Sequence, residues 1–276
     1  MTALSGIDSW TAFLADRDPP VLRHTAQAIA SARERIDRIN VREIAGIVLH
    51  DPMMTARVLR FSAAHRGRRQ LQDLSTVEHA VMMLGVEPFF HHFAQLDVIE
   101  DHLKPQALLG LLQVIRRAQR AAHFALDWAT WRCDLNSEEV AIAALLHDLA
   151  EMLLWCHAPD QALQIQALQK ADHTLRSADA QSAVLGFPLH DLQAFVCRKW
   201  ELPELLLTLM DDVWERPRVK NVKLAVDLAR HTAHGWDDPA LPDDFRAIAT
   251  LMNIDEETLQ VRLGLKKAGE EDARDA

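Results

Sequence analysis

The chain has 276 residues, 49% of them hydrophobic, and a formal net charge of −10. That is enough apolar content for a core of one large domain or two small ones, and no uninterrupted apolar run reaches the roughly 18 residues of a membrane span. The acidic balance argues against a broad phosphate-binding surface, so neither nucleic acid nor a membrane is expected as a partner.

In chain order the pattern is helical throughout. Pro19-Pro20 opens a predicted helix carried by Val21, Leu22, Ala26, Ile29 and Ile36 at near-helical spacing. Asn40 with Glu43 reads as an N-cap and its third-position carboxylate, starting Val41–Leu49. Asp51-Pro52 gives the same signal with proline at the first helical position, for a helix through Val58, Leu59 and Ser62. Ser75-Thr76-Val77-Glu78 reads as a capping box whose helix ends at Gly85. Glu87-Pro88 is expected to begin a helix running to about Asp101.

After Pro105 a long helix is predicted to Trp131, with a stripe at Ala118, Ala122, Ala125 and Ala129. Asn136 or Ser137 caps the next, and further helices are expected at 159–171, 174–185, 188–200, 203–215, 218–235, 243–252 and 255–263. Alternating β-branched runs and tight hairpin turns are missing, so the predicted class is all-α. The charged tail 266–276 has no apolar anchor and is expected to be disordered. Cys133, Cys156 and Cys197 are too scattered for a disulfide framework or a zinc spacing. With no secretory signal in residues 1–10, a reducing cytoplasm is the expected location.

The feature with most chemical content is central. An apolar run, Val140 to Leu146, is interrupted by His147-Asp148 and resumes from Leu149 to Trp155. An imidazole and a carboxylate inside such a run cost several kcal/mol unless each finds a partner. A metal, a cation or a hydrogen-bonding network must meet them.

Several segments together resemble a known family. Asp51-Pro-Met-Met-Thr-Ala-Arg-Val-Leu-Arg60, then residues 75–80 and Met83-Leu-Gly85, look like the first half of an HDOD domain, the HD-related output domain of bacterial signalling proteins. Ala144-Leu-Leu-His-Asp-Leu149, Phe187-Pro-Leu-His190 and Lys199-Trp-Glu-Leu-Pro203 match its second half, so the likeness spans about residues 20–235. The resemblance implies a small N-terminal helical bundle (1–102) packed on a degenerate HD-type bundle (103–265).

It also carries two functional expectations. One is a cytoplasmic, non-catalytic signalling module that acts on a protein partner and needs no cofactor, with no receiver, cyclase or kinase segment attached. The alternative is a metal-dependent phosphohydrolase or phosphodiesterase of nucleotides, using a divalent ion such as Mn, Fe or Mg held by His147, Asp148 and some of His123, His190, Asp211 and Asp212. Against the alternative, the position of the family's first metal-binding His aligns with Arg117, whose guanidinium cannot ligate a metal, and the residues after the pair are Ala150 and Glu151.

The plainer reading of the pair is an ion-paired relic facing Arg116, Arg117 or Arg120, with Asp148 and Arg117 the preferred partners. His123, six residues past Arg117, would face away from the alanine stripe by roughly 120–240° in a helix, depending on register. His190 reads as a first-turn helix residue, Asp211-Asp212 as a solvated helix end, and Trp200 as core. Arg66, Arg68 and Arg69 form a basic loop that could contact a partner or simply stay solvated. The apolar stretches Leu108–Val114 and Leu205–Met210 suggest more greasy surface than two bundles can cover.

Overall fold

The computed structural model describes residues 4–65, 76–172, 174–211 and 215–265. Arg66, Arg68, Arg69, Asp212 and the tail 266–276 lie outside the described residues. The described chain is helical, with one isolated parallel bridge and no strand. Its elements are α1 (Ile7–Ala15), α2 (Arg23–Arg33), α3 (Val41–Leu49), α4 (Pro52–Ala64), α5 (Val77–Leu84), α6 (Val86–His92) and α7 (Ile99–His102). There follow α8 (Pro105–Trp131), α9 (Ser137–Leu146), α10 (Leu149–His157), α11 (Pro159–Ala171) and α12 (Ser177–Leu185). The last five are α13 (Leu189–Lys199), α14 (Glu204–Leu209), α15 (Pro217–His231), α16 (Leu241–Met252) and α17 (Glu256–Arg262).

Local chemistry sets many of the boundaries. Asn40 Oδ1 accepts from Glu43 N at 2.9 Å, and Asn40 Nδ2 donates to the Glu43 carboxylate, fixing the start of α3. Asp51 starts α4 by accepting from Met53 N and Met54 N, with Pro52 in the first turn. Gly85, at φ +84°, takes the left-handed backbone that ends α5.

Four expectations need correction. The α2 helix begins at Arg23, because Val21 is instead extended and pairs with Val98, its N donating to Asp97 O at 2.8 Å. The α5 cap is Thr76, whose hydroxyl accepts from His79 N. The segment after Pro88 does not run on to Asp101; it ends at His92, and the chain returns to pair with Val21 before the short α7. In α8 the stripe is broader than alanine alone: Ala121 is buried and Ala122 only half-buried, beside buried Leu111, Val114, Ile115, Phe124 and Trp128.

The long α8 lies against α9, α10 and α15, and α15 also packs on α9. Where α8 crosses α10, Gly110 leaves room for the Trp155 ring; a Cβ there would sit 2.3 Å from it. One apolar cluster continues from Trp10 to Leu259, across the turn at His102–Pro105. Trp200 ties this core to α1, donating from its indole to Ala15 O at 2.9 Å. Residues 137–157 contain a window of mean hydropathy 1.4, apolar and long enough for a membrane span, but 67% of it is buried inside the protein. Most of 108–114 and 205–210 is likewise packed: Leu111, Val114, Leu206, Leu209 and Met210 are buried, and Leu109 is exposed.

Candidate functional site

The interrupted apolar run is two helices rather than one. α9 stops at Leu146, His147 stays near helical dihedrals, and Asp148 (φ −103°, ψ 27°) turns the chain into α10. A break inside the core frees backbone groups that must be paired. Gln193 on α13, itself buried, does this: its Nε2 donates to Leu146 O at 2.8 Å and to His147 O, while its Oε1 accepts from Ala150 N at 2.8 Å. One side chain therefore repairs three backbone positions and fixes the turn that presents His147 and Asp148.

The side chains in that turn are mostly covered, with 13% of Asp148 and 10% of His147 exposed. Arg117 from α8 reaches Asp148 Oδ2 with two nitrogens, Nε at 3.0 Å and Nη2 at 2.6 Å. The same Nη2 lies 2.7 Å from Glu151 Oε2. His147 Nδ1 is 3.2 Å from Asp148 Oδ1, and Arg230 Nη2 from α15 stands 3.7 Å from that oxygen. Burial alone would raise the pKa of Asp148; the Arg117 charge, the His147 hydrogen bond and Arg230 outweigh it and hold the carboxyl well below the usual carboxylate value. Burial likewise acts to lower Arg117, but Glu151 and Asp148 overcome it and raise its pKa.

Of the other sequence candidates, His123 is exposed on α8, with its ring 6.3 Å from that of Phe124. His190 is exposed in the first turn of α13. Asp211 is half-buried just beyond α14, and Asp212 is outside the described residues. Arg116 is exposed; Arg120 turns to the C-terminal end of α15, donating to Thr232 O at 3.0 Å and lying over the Trp236 ring. The structure thus gathers Arg117, His147 and Asp148 and keeps His123 and His190 on the surface.

Three contributors escaped the sequence reading as partners. Glu151 could have been found, since it lies three residues after Asp148 on the same helical face. Gln193 left a weaker trace, a polar residue on the buried face made by Leu189, Leu192, Val196 and Cys197. Arg230, 82 residues from Asp148, left none.

This arrangement does not fit a divalent metal. Asp148 Oδ2 already accepts from two guanidinium N–H groups, its Oδ1 faces His147 and Arg230, and a guanidinium has no lone pair to offer. Among the described residues no three His, Cys, Asp or Glu side chains converge on a point where an ion could sit. Nor is Asp148 suited to act as a general base near neutral pH, because a general base works best with a pKa near the working pH and Asp148 is displaced the other way.

Comparison with known proteins places the chain. The HDOD domain profile matches residues 20–215. No curated protein matches the sequence. Among solved structures, the MmoQ response regulator of Methylococcus capsulatus is similar, with a TM-score of 0.68 and 18% identity over 91% of this chain and 99% of its own. A virulence factor of Campylobacter jejuni gives 0.63 at 18% identity, covering 95% of this chain and 93% of its own. An HDOD domain protein of Geobacter sulfurreducens gives 0.52 at 17% identity, covering 94% and 95%. At such identities these likenesses describe the fold, while the profile match over most of the length assigns the sequence: the chain belongs to the HDOD domain family.

Proposed function

We propose that this protein is a non-catalytic output module of bacterial signal transduction, working in the cytoplasm by docking onto another signalling protein. Family membership supports the signalling role, and so does the description of the similar Methylococcus protein as a response regulator. The observation that carries the non-catalytic part is the Arg117 guanidinium bridging Asp148 and Glu151, where phosphoester chemistry would need a metal and an available carboxylate. No cofactor enters this reading.

Docking draws support from the surface. Met82 and Met83 on α5 are 57% and 62% exposed, Trp131 at the end of α8 is 46% exposed and Leu135 after it 98% exposed. Isolated exposed apolar residues are ordinary, but adjacent methionines make an adaptable contact surface. Arg66, Arg68 and Arg69 precede α5 in sequence and remain candidate contacts.

The test is turnover of a panel of cyclic and linear nucleotides with Mn, Mg and Fe supplied. The expected rate equals that of a His147→Ala, Asp148→Ala double variant. Hydrolysis that the double variant lacks would replace this reading with the phosphohydrolase one.

A further inference from the structure

The guanidinium at the His147–Asp148 turn is not a simple two-partner pair. A single nitrogen, Arg117 Nη2, stands 2.6 Å from Asp148 Oδ2 and 2.7 Å from Glu151 Oε2. Two carboxylates that close to one point repel each other, and one would protonate unless a cation lay between them. The charge pattern extends outward in alternation: Arg230 lies 3.7 Å from Asp148 and 3.6 Å from Asp227, and Lys223 lies 3.5 Å from Asp227. Three carboxylates thus meet three cations in one chain from the core to the surface, and Arg117 is the innermost cation, with 19% of its side chain exposed.

The backbone around this point is also built in place. Gln193 holds the Asp148 turn by three hydrogen bonds, and Met152 N donates to Asp148 O at 3.1 Å. The backbone that carries Asp148 and Glu151, one turn apart at the start of α10, is therefore set by these bonds, and Arg117 enters from α8 as a separate element. None of these backbone hydrogen bonds involves the arginine.

We propose that Asp148 and Glu151 form a preorganised cation site whose resident cation is the tethered Arg117 guanidinium, and that vacating it creates a binding site for a free guanidinium-class cation. The proposal goes beyond the signalling role and does not require it. An ion pair that merely staples α8 to α10 would leave no such site, because its loss would let the two acids move apart or protonate.

Chemical rescue separates the two. The protein is Arg117→Ala, and the probe is guanidinium chloride at about 20–50 mM against NaCl at equal ionic strength. Arg117→Ala is expected to melt well below the wild type, and guanidinium to raise its midpoint by about 3 °C while leaving the wild type unchanged or slightly lower. Adding Asp148→Asn to Arg117→Ala should abolish the rise. If Arg117→Ala is unfolded by itself, recovery of helical circular dichroism with guanidinium is the equivalent positive result. A midpoint or helical signal in Arg117→Ala that guanidinium fails to raise, or raises equally in the wild type or with Asp148→Asn added, overturns the proposal. None of these outcomes bears on nucleotide turnover, so failure here and failure of the signalling reading are distinguishable.

Discussion

Two aspartates, Asp51 and Asp148, both stand at the first residue before a helix, and the protein satisfies them by opposite means. Asp51 is wholly buried and is met by neutral donors: Leu22 N at 2.8 Å, Met53 N at 2.9 Å and Met54 N at 3.3 Å. Asp148 makes no such cap; its oxygens go to Arg117, His147 and Arg230. The consequence appears in their protonation. Burial raises the pKa of Asp51 and its hydrogen bonds only partly offset that, whereas at Asp148 the neighbouring charges win over burial. A buried carboxylate can be a local capping device or one end of a long-range charge network, and its own sequence context reveals only the first.

The largest expected effect breaks the network side of that contrast. Asp148→Ala leaves Arg117 with Glu151 alone in a covered site and should cost about 3–5 kcal/mol in urea unfolding. An unchanged urea midpoint would show the carboxylate to be idle. Asp148→Asn should retain little of the stability, because the charge is what matters there.

Acid sharpens the comparison next. His157, at the end of α10, has its Nε2 buried, and burial together with Arg17 lowers its pKa to about 4. A depressed histidine is neutral in the fold while the unfolded chain takes up the proton, so stability is present above the unfolded value and falls as pH drops from about 6.5 towards 4. That loss should be about 2–3 kcal/mol, and His157→Gln should flatten it. Asp148, depressed as a carboxylate, contributes stability that persists above the usual carboxylate value and is lost only as pH falls through its lower folded value. Asp51, displaced upward, should add nothing to this acid loss. A flat profile in the wild type between pH 6.5 and 4 would contradict the His157 assignment.

Gln193→Leu should cost about 1–3 kcal/mol, since Leu146 O, His147 O and Ala150 N would lose their partner while apolar volume is kept. Amide exchange at Ala150 should quicken ahead of global unfolding, and protection equal to the wild type would mean that another group pairs it. A similar cost, about 1–3 kcal/mol, is expected for Asp51→Asn, because the amide keeps one acceptor oxygen and turns an NH2 group toward a buried backbone N–H that then loses its partner. If that variant instead loses as much as Asp148→Asn, the distinction between the two sites collapses.

The same contrast explains what was legible beforehand. Asn40 with Glu43, Asp51 with Pro52, and Gly85 act within a few residues, so their helix ends could be read directly. The breaks that were missed depend on distant pairing: Val21 is extended because Val98 is there to receive it, and the helix after Pro88 stops because the chain must return to that bridge. At the site, the interruption of the apolar run marked His147-Asp148, and alignment put Arg117 near it. Glu151 looked like a mere departure from a pattern, and Gln193 and Arg230 come from helices whose packing no local spacing encodes. The apolar stretches at 108–114 and 205–210 were misjudged as surplus surface for the same reason, since their cover comes from elements far along the chain.

Arg117, and not a metal, neutralises Asp148 in this fold. The most direct measurement is elemental analysis of the protein purified without a histidine tag and without chelators, alongside His147→Ala. The expected result is well under a tenth of an equivalent of Fe, Mn or Zn in both proteins. Close to one equivalent in the wild type, lost in His147→Ala, would contradict it.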